Sequence, residues 1–151
     1  MLIMAIGVGG GVVFGLRETG LASWLLDTPA PVLANIPARS FAACAGSARV
    51  TCVVDGDTFW LNGEKIRIAD INTPEVGSPS CPEEAALGRQ ASRRLVELLS
   101  AGPFSLAAAD RDEDQYGRKL RIVERDGRSV GKILVAEGLA HEWRGRRESW
   151  C

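Results

Sequence analysis

The chain has 151 residues, 46% of them hydrophobic, which suits one domain with a sizeable core and excludes disorder throughout. Eighteen basic residues against nineteen acidic leave a formal charge of −1, so any contact with nucleic acid has to come from a local patch. A single histidine, His141, excludes metal sites and triads built on several imidazoles, and hydrolysis is left to carboxylates, arginines or a hard metal ion.

Residues 1–16 form an uncharged apolar run followed by Arg17, read as a targeting or anchoring segment. Gly7, Gly9, Gly10 and Gly11 would weaken a buried helix there. The expectation is an exported protein: periplasmic, anchored to the membrane by residues 1–16, or secreted. Leu21, Trp24, Leu25 and Leu26 then lead into Asp27-Thr28-Pro29-Ala30-Pro31, and residues 17–43 are expected to be a linker without fixed fold. The domain is placed at 44–151. Four cysteines in a chain with such a start favour disulfides, and without a Cys-x-x-Cys pair zinc is the weaker reading. Three pairings are open. The favoured one joins Cys44 to Cys52 across a glycine-containing turn and Cys81 to Cys151, tying the chain end to a loop.

Val53 and Val54 begin a strand that enters Asp55-Gly56-Asp57-Thr58, where two carboxylates on a turn supply hard oxygen donors for a divalent cation. Phe59, Trp60 and Leu61 resume the strand, and Asn62-Gly63 is a strong hairpin signal because both residues tolerate positive φ. On the return strand, Lys65, Arg67 and Ala69 share one face, with Ile66, Ile68 and Asp70 on the other. Asn72-Thr73-Pro74-Glu75 leaves the sheet, Pro74 holding Thr73 extended.

A helix is predicted from Pro82, with Glu83 and Glu84 in its first turn, to about Ser100; Leu87, Ala91, Leu95, Leu98 and Leu99 form its apolar stripe. Arg89 and Arg93 lie off that stripe and are read as solvated. Residues 103–109 form the next strand, 110–118 a charged loop in which Asp114 braces Arg118, and Leu120, Ile122 and Val123 the last strand. Asp126-Gly127 turns the chain into Ser129, an N-cap for a helix that buries Val130, Ile133, Leu134 and Ala136 and stops at Gly138. Arg144, Arg146, Arg147 and Trp150 fall in a short tail without an assigned role. From strand pattern alone the fold is a small β-rich α+β domain, expected to be monomeric.

Asp-Gly-Asp-Thr at 55–58, Arg67, Thr73-Pro74-Glu75, Tyr116-Gly117-Arg118 and Gly138-Leu139-Ala140 together resemble the staphylococcal-nuclease (thermonuclease-like) family over about residues 50–143. The resemblance implies an OB-fold, a five-stranded barrel with packed helices, whose face commonly binds oligonucleotides. It implies a Ca²⁺-dependent nuclease acting on DNA and RNA with little sequence preference. In that scheme Asp57 and the main-chain oxygen of Thr73 ligate Ca²⁺, Glu75 is the general base or positions water, Arg67 and Arg118 clamp the scissile phosphate, and Tyr116 meets a substrate phosphate. Two departures stand out. Asn72 occupies the position of a metal-binding aspartate, which keeps an oxygen donor and loses a charge. Arg144 and Arg146 replace tyrosines that follow Gly-Leu-Ala. The competing reading is a non-catalytic OB-fold module for nucleic acid or envelope components, with a decayed metal site at Asn72. Glu75 beside two arginines argues against it, because a pure binder has little use for a water-positioning carboxylate.

Overall fold

The computed structural model describes residues 30–151. The apolar run 1–16, and with it the expected leader or anchor, lies outside these residues. Among the described residues no helix is long and apolar enough to cross a membrane.

Strands β2 (Cys52–Asp55) and β3 (Thr58–Leu61) pair antiparallel around Gly56-Asp57, with Val53 opposite Phe59. At the next turn Asn62 and Gly63 have φ of 52° and 85°, as a tight hairpin requires. Strand β4 (Glu64–Ile68) returns with Ile66 and Ile68 fully buried. The strand stops there, and Ala69-Asp70 turns into the two-residue β5 (Ile71–Asn72). After the Pro74–Ser80 loop comes α1 (Pro82–Ser100), then β6 (Phe104–Glu113), β7 (Lys119–Arg125), β8 (Arg128–Ser129), α2 (Val130–Ala136) and β9 (His141–Glu142).

The main sheet runs from β1 (Val32–Ile36) through β6, β7, β4 and β3 to β2, antiparallel except for the parallel pair β4–β7. Its first member, β1, lies in the stretch expected from the sequence to lack a fixed fold. Among the described residues it pairs only with β6 and leaves Val32 and Leu33 half exposed, at 53% and 52%, and the alternation that marks a strand is lost among flanking prolines. Beyond β1 the chain reaches the other end of the sheet. Cys44 donates its N–H to Val53 O, and Val53 donates to Ala42 O, both at 2.8 Å. Residues 32–44 therefore close the seam between β6 and β2. This mixed sheet with two helices is an OB-like α+β fold whose β2, β3, β4, β6 and β7 are the five strands anticipated from the sequence. Strand β6 continues through Asp110–Glu113, where the sequence suggests a loop, because Lys119 pairs with Asp112 and Glu113 while Arg121 pairs with Asp112.

The core is a single cluster in which Phe41 meets Phe59 edge-on at 6.0 Å and Phe104 at 6.1 Å. Helix α1 adds Ala91, Leu95, Leu98 and Leu99, with Leu87 half-buried at its edge. Burial contributes about 1.5–3 kcal/mol per leucine, against about 1 kcal/mol for a helix cap, so packing rather than capping holds α1 in place. In α2, Val130 and Leu134 are buried, Ile133 is intermediate and Ala136 is exposed, which corrects its expected burial. Disulfides join Cys44 to Cys52 and Cys81 to Cys151.

Candidate active site

Asp57 sits in the β2–β3 turn at 7% exposure, and every contact of its carboxylate reaches another candidate residue or its support. Its Oδ1 accepts the Thr58 hydroxyl at 2.9 Å. Its Oδ2 accepts the Thr73 N–H at 3.2 Å and faces the Arg67 guanidinium at 3.5 Å. Arg67, also 7% exposed, donates to Ile68 O at 2.8 Å and lies 5.2 Å from the Trp143 ring. One buried hydrogen-bonded unit thus joins turn, strand and the Thr73 loop, although Asp57 and Thr73 are 16 residues apart in the chain.

Helix α1 fits so closely against this unit that side chains are excluded. A Cβ on Gly56 would stand 2.7 Å from Ala91 Cβ and 2.9 Å from Thr73 Cβ. A Cβ on Gly88 would stand 2.8 Å from Pro74 O and 2.9 Å from Glu75 O. At the start of the helix, Glu84 accepts the N–H of Ser80 at 2.6 Å and of Glu75 at 3.2 Å, and these bonds hold its carboxyl below the usual glutamate value. Glu75, with a side chain one-third exposed, is thereby fixed through its backbone, and its carboxylate pairs with Arg147.

Arg67, Tyr116 and Arg118 line one cleft of about 600 Å³, together with Trp143, Arg111 and Arg147. Four arginines gather there with Asp110 and Asp114, and Arg67 and Arg147 are themselves paired with Asp57 and Glu75, so the cleft concentrates guanidinium groups without a net positive excess. Arg118 is braced by Asp114 at 2.6 Å and lies 5.5 Å from the ring of Tyr116, which is 74% exposed. Such a cleft suits a phosphate backbone. Asn72 is buried in β5 opposite His141, one residue before Thr73. Asp70 is elsewhere: it accepts the Ser129 hydroxyl at 2.5 Å and packs against Gly131, and burial raises its pKa.

Residues 65–149 match the family model described as staphylococcal nuclease homologue. The chain belongs to this family. Among curated relatives of this nuclease-family chain, Endonuclease YncB of Bacillus subtilis (strain 168) is 41% identical over 93 residues, covering 58% of this chain and 43% of that protein. The SPbeta prophage-derived endonuclease YokF of the same organism is likewise 41% identical over 93 residues, covering 58% of this chain and 31% of its own. Succinoglycan biosynthesis protein ExoI of Rhizobium meliloti (strain 1021) is 32% identical over 93 residues, covering 58% and 48%. The chain spans less than half the length of each.

In this staphylococcal nuclease homologue the residues expected to hold a metal, Asp57, Asn72 and Thr73, offer oxygen donors. Among the described residues no group of three or more His, Cys, Asp or Glu side chains converges to hold an ion, so a Ca²⁺ site would combine Asp57 with main-chain and amide oxygens. The electrostatics fit that use. Burial, then the Asp57 carboxylate, and more weakly Glu75 raise the Asp55 pKa to about 7, and a cation beside this acidic group would relieve the repulsion. The donor set therefore suits a hard cation. Three supporting residues carry no assignment from the sequence: Glu84, Trp143 and Arg147. The arginine-rich tail is the only signal for the last, and nothing in it separates Arg147 from Arg144 or Arg146.

Proposed function

We propose that this chain is an exported, Ca²⁺-dependent nuclease that hydrolyses phosphodiester bonds of DNA and RNA with little sequence specificity. The observation that carries this reading is the juxtaposition of the cleft holding Arg67 and Arg118 with the buried Asp57 carboxylate, which accepts the Thr73 N–H and faces Arg67, and the backbone-anchored Glu75. Endonuclease names among relatives support it, as does family membership.

Arg67 and Arg118 bind non-bridging oxygens of the phosphate by charge-assisted hydrogen bonds and gain most as negative charge grows in the transition state. Glu75 positions a water and takes its proton as the water oxygen bonds to phosphorus. Following the family resemblance, the bond from phosphorus to the 5′ oxygen breaks, the freed oxygen gains a proton from solvent, and a 3′-phosphate end remains. Ca²⁺, held by Asp57, the Thr73 main-chain oxygen and Asn72, would supply charge neutralisation at the phosphate when bound. Arginine contacts to phosphate carry no base information, which favours low sequence specificity. Export is supported by the apolar run 1–16 and by a cysteine set that is fully paired.

The full-length oxidised chain incubated with single-stranded DNA, with Ca²⁺ or with EGTA, tests the proposal. Cleavage is expected only with Ca²⁺, and Glu75→Ala is expected to abolish most of it. Ca²⁺-independent cleavage would remove the metal assignment; no cleavage at all, or full activity of Glu75→Ala, would sink the enzyme reading.

A further inference from the structure

The tail after β9 is a loop held at both ends, and its Trp143 and Arg147 line the cleft. At one end β9 is held on β5, with Asn72 opposite His141, and Trp143 donates its N–H to Asp70 O at 2.8 Å. At the other end Trp150 stacks on His141 at 3.7 Å with ring planes 2° apart, and Cys151 is bonded to Cys81, the N-cap of α1. Of the arginines at 144, 146 and 147, Arg147 is the one that lines the cleft beside Arg67 and Arg118; Arg144 turns instead to Glu142 at 3.7 Å.

We propose that Arg147 is a substrate-binding residue, a phosphate-binding guanidinium presented to the cleft by the tail that the Cys81–Cys151 disulfide closes. The inference rests on the nucleic-acid reading of the cleft. In the free protein Arg147 is paired with Glu75, their side chains 58% and 33% exposed. A pair this exposed is weak, and a phosphate oxygen accepts the same hydrogen bonds with comparable charge. Entry of a nucleic-acid phosphate transfers Arg147 from Glu75 to the substrate and frees the Glu75 carboxylate to hold water. The disulfide matters because nothing in residues 144–149 belongs to a helix or strand, so the guanidinium keeps its place through the anchors at the tail's two ends.

The test is fluorescence anisotropy of a fluorescein-labelled single-stranded oligonucleotide titrated with the full-length chain in EDTA, so that cleavage does not interfere. Arg147→Gln is expected to weaken binding about five- to tenfold, and Arg147→Lys to recover part of the loss. Cys81→Ser/Cys151→Ser is expected to weaken binding by a similar factor, with no further loss when Arg147→Gln is added. Arg147→Gln within about twofold of the parent, or a parent that does not bind the oligonucleotide, overturns the proposal. Losses that add in the triple variant overturn the part assigned to the disulfide. Circular dichroism reports whether the serine pair still folds; if it does not, Arg147→Gln, which keeps the disulfide, decides between the outcomes. A parent that binds but does not cleave with Ca²⁺ defeats the nuclease reading and leaves the role of Arg147 standing.

Discussion

Asp114 and Arg118 are locked to each other across one turn: the Asp114 carboxylate accepts Arg118 Nε at 2.6 Å and the main-chain N–H groups of Tyr116 and Arg118 at 2.9 and 3.1 Å. Burial acts to raise the Asp114 pKa, but the Arg118 bonds outweigh it and hold the carboxyl below its usual 3.8. One side chain therefore sets both the turn and the aim of the guanidinium. Asp114→Ala is expected to lower kcat/KM for single-stranded DNA by about ten- to a hundredfold through loss of orientation, with the melting temperature falling only slightly. An unchanged kcat/KM would remove Arg118 from the phosphate clamp.

Gly88 is where α1 touches the Pro74–Glu75 backbone, and a methyl group has no room there because the atoms it would meet include two carbonyl oxygens. Gly88→Ala gains helix propensity, yet the loop or the helix has to shift by several tenths of an ångström. The expected result is a loss of about 1–3 kcal/mol in stability and a fall in kcat larger than the rise in KM, because Glu75 moves with its backbone. Denaturant unfolding together with steady-state kinetics checks both.

Glu84 ties the same loop from its other side. Its pKa is depressed below 4.5, first by the Ser80 N–H and then by that of Glu75. A depressed carboxyl contributes stability that is fully present above its unfolded pKa and is lost as pH falls through the folded value. The window therefore lies below 4.5. Thermal melting across about pH 3 to 6 is expected to show a shallower acid decline for Glu84→Gln than for the parent. Identical acid limbs would show that these hydrogen bonds do not act in solution.

Asn72 lies one residue before Thr73, whose N–H binds Asp57, and is only 4% exposed. Asn72→Asp adds a carboxylate at a buried position in β5. In EGTA the variant is expected to melt below the parent, from the cost of an uncompensated buried charge. With Ca²⁺ the order is expected to reverse, and the Ca²⁺ concentration for half-maximal cleavage to fall by about tenfold. A Ca²⁺ titration of activity and of melting temperature reads both signs; a variant no more responsive than the parent would place the metal elsewhere.

Local chemistry by itself determined much of this molecule. Asn62-Gly63 and Asp126-Gly127 turn where their tolerance of positive φ allows, Pro82 starts α1, Ser129 caps α2, and the stripe ending at Leu99 faces the core, because each choice involves residues within a turn or two of one another. Arg67, Glu75 and Arg118 were recognisable for a different reason, their spacing as a family motif set. Strand β1 was hidden: among the described residues it pairs on one edge only and leaves Val32 and Leu33 half exposed, and it is bounded by Pro31 and Pro37. Tertiary structure alone decided that Glu84 anchors Glu75, that Trp143 lies against Arg67, and that Arg147 rather than Arg144 or Arg146 reaches the cleft. Arg147 and Glu75 are 72 residues apart, and the tail that carries Arg147 is returned to α1 by the Cys81–Cys151 disulfide that the cysteine count already favours. Contacts across such separations form only when the sheet and α1 are in place and the disulfide has brought the tail home, and no pattern within a few residues can encode them.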